Sequence, residues 1–404
     1  MPHSPLLASL TRHKLTVLLL VLQVGLTCAI VCNVASMIGH RAEQMRLPSG
    51  VAEDELVMLR SISVDDTENT LARHDADLAA LRMIPGVRSA MAVDSMPFSG
   101  SNWSNGISTV PNGDALFSAT AYTGTPGALA TLGMHLIAGR DFLPEEYLPT
   151  DSAHGSAGLD HVPSTIVTRA FAERLSPGKD PLGTVIYPGN GPVRIVGVVD
   201  HLLRPTLDES DGNEFATVLP LLPDGSDVTY VMRTAPADRE RVLKQAADVL
   251  TKLSSNRVLR NPKTFSQLRE EYFRRDRTMI VLLLAASLGL LLVTAAGIAG
   301  LASFWVQQRR RSIGIRRAIG ATRKDILHYF QVENFLIVSG GIVLGVMLAY
   351  GLNMLLMSHY ALQRLPWFYL PAGAISLWLL GQLAVLGPAL RASAVPPVVA
   401  TRSG

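Results

Sequence analysis

The chain has 404 residues, 48% of them hydrophobic and only 17% charged, with a mean hydropathy of +0.26; against roughly 25% charged residues in an average soluble domain, this describes a protein that keeps part of its length in lipid. Charge is divided unevenly: residues 39–277 carry 24 Lys/Arg and 31 Asp/Glu, a net of −7, while the remainder carries 12 Lys/Arg and two acids, Asp325 and Glu333, a net of +10. A mildly acidic domain lacks the basic footprint that nucleic acid requires, so no nucleic-acid partner is expected.

Residues 1–14 form a short basic start ending in Arg12, His13 and Lys14. The apolar run that follows, 15–38, is long enough to cross a hydrocarbon core of about 30 Å. Its basic flank and Val34-Ala-Ser36 also resemble parts of a cleaved signal peptide, but the run is too long for a signal core, and an uncleaved helix is expected. Cys28 and Cys32 lie four apart on one face of it, where a disulfide between them is disfavoured. The large domain has no cysteine and must build its own core.

Residues 39–277 alternate strand-like and helix-like segments. Glu55–Arg60 reads as a strand, and Asn69–Ile84 as a helix with Leu71, Leu78, Leu81 and Ile84 at helical spacing. Pro85-Gly86 ends it, Val87–Val93 reads as a strand, and Asp114–Thr123 alternates loosely as another. From about residue 130 to 227 the chain is dense in Gly, Pro and Asp, with short strands such as Val193–Val199, and reads as an inserted subdomain. Val228–Arg233 returns as a strand and Pro236–Leu253 as an amphipathic helix. Gln267–Arg277 is predicted to run as one continuous stalk helix into the second span.

Further spans are predicted at 278–306, 330–357 and 371–390, with a basic loop at 307–329, a short loop at 358–370 and a tail at 391–404. The 307–329 loop holds Arg309, Arg310, Arg311, Arg316, Arg317, Arg323 and Lys324 against Asp325, so the positive-inside rule makes it cytoplasmic. The amino terminus and tail share that side. The 39–277 domain and the 358–370 loop, with Arg364 and the aromatic cluster Trp367-Phe-Tyr369, lie opposite. The fold class is an α-helical membrane protein: four transmembrane helices with a large extracytoplasmic α/β domain between the first and second. Ala295 to Gly300 and Gly340, Gly341 and Gly345 offer surfaces for close helix approach.

Catalytic patterns are lacking. Gly320-Ala-Thr-Arg-Lys-Asp325 does not have the spacing of a phosphate loop, and neither H-E-x-x-H nor G-x-S-x-G occurs. No catalysis, cofactor or metal is expected. His154, Asp160 and His161 read as surface residues of a Gly-rich loop, and Asp200-His201 as a turn. Glu333, an acid near the cytoplasmic end of the third span, is a candidate by its depth and is expected to pair with loop arginines at the interface. Asn353 and Gln382 are expected to hydrogen-bond between helices. In the basic loop, Ile313, Ile315, Ala318, Ile319 and Ala321 form an apolar set among the arginines. A positive-inside loop explains the charge but not these residues. A short amphipathic helix explains both, lying on the membrane surface or docked in a partner's groove.

The stretch Arg309 to Ile326 resembles the cytoplasmic loop of MacB/FtsX-type ABC transporter permeases, which reads roughly R-x-x-E-I-G-I-R-R-A-x-G-A-x-x-x-x-I after the second span. Pro85-Gly-Val87, Gly133 to Phe142, Asp180-Pro-Leu-Gly183 and Arg194 to Val199 look like that family's extracytoplasmic core, and Pro388-Ala-Leu-Arg391 with Pro396-Pro397 like its ending. The resemblance implies a porter-like α/β part formed by both ends of the large domain, plus the inserted subdomain. It implies a coupling helix whose ATPase contacts would be Ile313, Gly314, Ile315, Arg316, Arg317, Ala318, Gly320, Ala321 and Thr322. The implied partners are a separate cytoplasmic ABC ATPase that binds the ATP, a second permease (the same chain or a paralogue) and a periplasmic adaptor, in the cell inner membrane. The implied action is mechanotransmission: closing of the ATPases moves the stalk and the outer domain, for export. A non-transporting, FtsX-like scaffold that regulates a periplasmic partner such as a cell-wall hydrolase has the same architecture. Ser312 stands where the family usually has glutamate, which puts one ion pair with the ATPase in doubt.

Overall fold

The computed structural model describes residues 14–64, 69–101, 103–150, 158–208, 211–360 and 366–394. Residues 1–13, His154, Arg364 and the tail beyond 394, with Pro396-Pro397, lie outside the described residues. The chain divides into two compact units, Arg46–Arg275 and a helical unit made of Met1–Met45 with Asp276–Gly404. The described residues begin with helix α1 (Lys14–Gln44) and then build the first of these.

In the Arg46–Arg275 unit, β1 (Leu56–Ser63), α2 (Thr70–Arg82) and β2 (Val87–Val93) make one β-α-β half. Helix α2 starts where Asn69 can cap it, its side chain accepting from the Ala72 N–H at 3.2 Å. The chain then leaves for an insertion: β3 (Ser104–Ile107), β4 (Phe117–Thr123), α3 (Ala128–Leu132), β5 (Leu136–Gly139), β6 (Leu148–Pro149), β7 (Ser164–Thr168), α4 (Arg169–Leu175), β8 (Val185–Ile186), β9 (Val193–Val199), β10 (Ala216–Leu219) and β11 (Leu221–Leu222). It returns as β12 (Asp227–Thr234), α5 (Arg239–Leu253), β13 (Arg257–Thr264) and α6 (Phe265–Tyr272).

The two halves close into one antiparallel sheet of order β13-β1-β12-β2, the ferredoxin-like β-α-β-β-α-β plan. Period-two alternation sends Val57, Leu59, Tyr230 and Met232 to the face that α2 and α5 cover with Leu78, Leu81, Val242 and Leu250. Each such side chain, fully buried, contributes about 1.5–3 kcal/mol. Tyr230 and Arg257 both reach the carboxylate of Asp77 at 2.6 Å, inside this core.

Thr229 of β12 pairs with Val93 of β2, so the insertion runs from residue 94 to 226 and not from about 130. The β3 and β4 segments carry ordinary strand patterns, but β3 pairs with β4, and β4 on its other edge with β10, about 90 residues further on, and alternation does not name a partner. The inserted mixed sheet has the order β3-β4-β10-β7-β9-β5, with β8 on β9 and a separate β6–β11 pair. Its core gathers Ile107, Val167, Phe171, Ile195, Val198 and Leu219.

β13 had no clear sequence signal. Three of its eight residues are basic and it holds Pro262, which a strand tolerates at a sheet edge, and an edge is where the sheet order puts it. The continuous stalk is also corrected. After α6 the chain breaks at Phe273 (φ −86°, ψ 4°) before α7 (Arg274–Gln308) begins. Phe273 is buried, its ring 5.3 Å from Phe98 and 4.9 Å from Tyr272.

In the helical unit, α8 (Arg310–Ala318), α9 (Arg323–Tyr360) and α10 (Tyr369–Ser393) follow α7. Helices α1, α7, α9 and α10 are each long and apolar enough to cross a membrane. α1 and α9 approach through glycine: a Cβ on Gly345 would lie 2.4 Å from the Cys28 Cβ and 2.6 Å from the Gly25 carbonyl oxygen, and one on Gly341 would lie 2.6 Å from the Val24 Cβ. Close packing of small residues is what holds helices together in lipid. Hydrogen bonds add to it between α1 and α7 (Thr27 to Thr294 hydroxyls, 2.8 Å) and between α10 and α9 (Trp378 Nε1 to Ser339 Oγ, 3.0 Å; Gln382 Nε2 to the Gln331 carbonyl, 3.3 Å).

Candidate functional site

The basic segment between α7 and α9 folds as a helical corner whose stops are written in its residues. Arg309 (φ −100°, ψ 8°) interrupts the helix after Gln308, and α8 follows for nine residues. It ends at Gly320, whose φ of +109° few side chains tolerate. The Gly320 N–H donates to the Arg317 carbonyl (3.2 Å) and the Ala321 N–H to the Arg316 carbonyl (3.0 Å), the paired bonds of a Schellman stop. Thr322 then caps α9 reciprocally with Asp325: the Asp325 N–H donates to Thr322 Oγ1 (3.3 Å), and the Asp325 carboxylate accepts from the Thr322 N–H (2.8 Å) and hydroxyl (2.7 Å).

Three contacts fix the corner to the helical unit. Glu333 of α9, only 2% exposed, accepts from Arg309 Nη1 at 3.1 and 2.9 Å, one bond to each oxygen. Arg317 Nη1 donates to the Ser393 carbonyl at the end of α10 (3.2 Å), where the helix dipole favours a cation. The Arg316 guanidinium lies 5.1 Å from the Tyr329 ring centroid.

The structure therefore divides the sequence-derived contact set. Ile313 and Gly314 are buried, Ile313 within the core of the helical unit. Arg316 and Arg317 have partners inside the unit. Ile315, Ala318, Gly320 and Thr322 are exposed and Ala321 is half-buried. Ile319, an apolar member of the loop left out of that set, is 82% exposed, and Ile315, one turn earlier, is 46% exposed. The helical period could have separated Ile315 and Ile319 from Ile313. Thr322-Arg-Lys-Asp325 was legible as a capping box, whereas the partners of Arg309 and Arg317 lie 24 and 76 residues away.

A second junction lies within the Arg46–Arg275 unit, where its first and last segments meet. Arg269 of α6 donates to the Glu53 carboxylate and to the Leu47 carbonyl (2.9 Å), with its guanidinium 5.3 Å from the Phe98 ring. Ser49 Oγ donates to the same Glu53 at 2.6 Å. Gly50 (φ +85°) lies so close to the next layer that a Cβ would sit 2.0 Å from the His201 carbonyl oxygen. α6 is itself capped, Thr264 and Gln267 exchanging bonds of 3.2 and 2.9 Å. Arg269 thus joins the strand-entry segment to α6.

His201 is 3.2 Å from Glu214 through Nδ1, and Asp200 forms an ion pair with Arg169 at 2.9 Å. Among the described residues no three His, Cys, Asp or Glu side chains come together as a metal cage.

Two family profiles match the chain. Residues 15–249 match the profile of the MacB-like periplasmic core domain, and residues 284–397 that of the FtsX-like permease C-terminal region. The macrolide export ATP-binding/permease protein MacB of Bartonella henselae is 27% identical over 410 residues, covering 96% of this chain and 57% of its own. The protein of the same name from Campylobacter jejuni is 26% identical over 358 residues, 85% of this chain and 52% of its own. The chain thus spans about half the length of these curated relatives. The ABC transporter permease YknZ of Bacillus subtilis is 23% identical over 418 residues, with coverage of 99% and 97%. Among solved structures, the periplasmic region of MacB from Actinobacillus actinomycetemcomitans aligns at 15% identity over 55% of this chain and 94% of its own, with a TM-score of 0.34.

Proposed function

The chain belongs to the family of ABC transporter permeases that carry a MacB-like periplasmic core domain and an FtsX-like C-terminal region, and from that premise we propose that it is a membrane subunit working by mechanotransmission. An ABC ATPase seats on the basic corner in the cytoplasm. A second permease and a periplasmic adaptor complete the assembly in the inner membrane. ATP-driven movement of the corner passes along α7 to the domain outside, for export. The relatives named MacB are called macrolide exporters; the substrate class of this chain is left open.

The observation that supports this reading best is the two-sided build of α8. One side is anchored through Ile313, the Arg309–Glu333 pair and Arg317, while Ile315 and Ile319 point outward as a bare apolar pair among arginines. An anchored helix can transmit a push, and an exposed apolar pair is what a partner's groove accepts. Complete burial of an isoleucine contributes about 1.5–3 kcal/mol; with Ile319 starting 82% exposed, docking it alone is worth roughly 1–2.5 kcal/mol, or about 5- to 70-fold in Kd.

The test is co-purification of the tagged, detergent-solubilised chain beside Ile315→Asp/Ile319→Asp, with co-purified subunits identified and assayed for ATP hydrolysis. This pair is preferable to charge reversal at Arg316 and Arg317, which would also break contacts inside the helical unit. The reading expects an ATPase with the wild type and at least tenfold less with the variant. If the folded wild type brings down no ATPase and instead holds a periplasmic enzyme, it is a scaffold and the coupling role is wrong.

A further inference from the structure

Helix α2 turns two kinds of residue to the core of the four-stranded sheet. Leu78 and Leu81 pack from its carboxyl-terminal half, while His74 and Asp77, one turn apart, are buried in its amino-terminal half. That half stands at the end of the sheet where the inserted subdomain leaves and returns. β1 ends beside the return crossing, Ile62 pairing with Asp227 and the Ser63 N–H donating to the Ser226 carbonyl at 2.8 Å. β2 ends at the exit, where Val93 pairs with Thr229.

His74 is 2% exposed, and its ring ties α2 to the return crossing: Nδ1 lies 2.9 Å from the Pro223 carbonyl oxygen. A carbonyl only accepts, so Nδ1 carries the proton and donates. The neutral ring leaves Nε2 as a bare lone pair, and among the described residues Nε2 has no hydrogen-bond partner. A second proton can go only to Nε2. It would create a buried N–H without an acceptor and a buried charge without a counter-ion of its own, each costly inside a core.

The groups around the ring do not supply that counter-ion. On α2, Arg73 precedes it and Asp77 follows one turn on; the Asp77 carboxylate already accepts from Tyr230 of β12 and from Arg257 of β13, each at 2.6 Å. Asp224, in the return crossing, is half-buried. The Tyr230 ring meets the imidazole edge-on, the centroids 6.1 Å apart. α5 turns Val242, Ala246 and Leu250 inward and leaves Lys244, Asp248 and Lys252 exposed, and Arg60 of β1 is exposed too. Two acids, Asp77 and Asp224, thus stand against two bases, Arg73 and Arg257. Burial pushes the imidazole below its ordinary 6.5; the bond to Pro223 works against this, Arg73 adds to it, and Asp77 and Asp224 oppose it. With the folded-state value below the unfolded one, the contact keeps its strength above pH 6.5 and weakens as pH falls from there towards the folded-state value.

We propose that His74 is an acid-sensitive latch between α2 and the return crossing of the inserted subdomain: the neutral ring holds the Pro223 carbonyl, and in mild acid the imidazolium gives that contact up. The opening is local, because Leu78 and Leu81 keep the other half of α2 on the sheet. The latch needs neither an ATPase nor a second permease, so it stands or falls apart from the coupling role proposed above.

The experiment uses the full chain in detergent micelles and follows hydrogen exchange at about pH 7.5 and about pH 5, with exchange times scaled to the intrinsic chemical rate at each pH. The readout is the opening equilibrium of residues 70–78 and 223–230. A group with an ordinary value of 6.5 favours the open state by at most about 30-fold at about pH 5, and the expected rise in opening is about 10- to 30-fold. In β9, inside the inserted sheet, the rise should stay below about twofold. His74→Asn offers Pro223 an amide N–H that does not titrate, and His74→Gln offers one from a longer stem; in either, the rise in 70–78 and 223–230 should also fall below about twofold. A flat response of the wild type overturns the proposal without recourse to a variant. So does a rise of equal size in β9, which is acid unfolding of the whole unit, and so does an unchanged rise in the variants.

Discussion

Removing one partner of the Arg309–Glu333 pair tests whether the corner is clamped. Arg309 occupies the break between α7 and α8 and holds both carboxylate oxygens of Glu333, with side-chain exposures of 20% and 3%. Arg309→Met leaves a buried carboxylate without its guanidinium, and breaking such a pair from one side costs about 3–5 kcal/mol. Glu333→Gln should cost less, about 1–3 kcal/mol, because the amide keeps an acceptor and the partly exposed Arg309 can turn towards water. Arg309→Met/Glu333→Met removes both charges and should fall near the wild type, since well-packed apolar replacements of buried pairs are neutral or stabilising by about 1–4 kcal/mol. Equilibrium unfolding in mixed detergent micelles, followed by helical circular dichroism, compares the three variants with the wild type. The expected order is Arg309→Met least stable, Glu333→Gln intermediate and the double variant nearest the wild type. If both single variants lie within about 0.5 kcal/mol of the wild type, as at a solvated surface pair, the clamp does not exist, and the account of α8 as an anchored lever fails with it.

Gly345→Ala should destabilise the helical unit by about 1–3 kcal/mol, because its Cβ meets Cys28 and the Gly25 backbone, whereas Gly289→Ala, with nothing within 4 Å, should be neutral or better; the same unfolding assay compares them. Gly320→Ala has free space around it and pays only for its φ of +109°, about 1–2 kcal/mol, which trypsin should report as cleavage around Arg317 and Arg323 faster by about 5- to 30-fold, with Gly320→Asn intermediate. In the inserted subdomain, the Arg140 guanidinium beside Glu146 holds that carboxyl at about 2, below its ordinary 4.5. A folded-state value below the unfolded one means stability that is present above pH 4.5 and lost as pH falls towards 2. Urea midpoints should therefore drop across that window, and the drop should be smaller in Arg140→Gln; an identical slope in the variant would remove the pair from the acid response.

Much of this protein could be read locally. Apolar length set the four spans, because lipid leaves a helix no partner for its backbone other than itself. Strands such as Val87–Val93 and Val193–Val199 have the boundaries their residues announce. The stop at Gly320 and the start at Thr322 are also local chemistry, since a left-handed φ and a capping carboxylate need nothing from elsewhere in the chain.

What the sequence by itself determined was therefore the class of the protein and the order and rough extent of its elements. The tertiary structure alone decided which elements are neighbours. It placed β3 and β4 in the inserted sheet, put the proline-bearing β13 on the edge beside β1, and broke the stalk at Phe273, whose ring packs against Phe98. It also sorted the basic corner, turning Ile313 inward and Ile319 outward, and gave Arg309 and Arg317 their partners. The physical reason is the same in each case: these outcomes rest on contacts between residues far apart in the chain, and a local pattern records what a residue can bury or pair without naming what it meets.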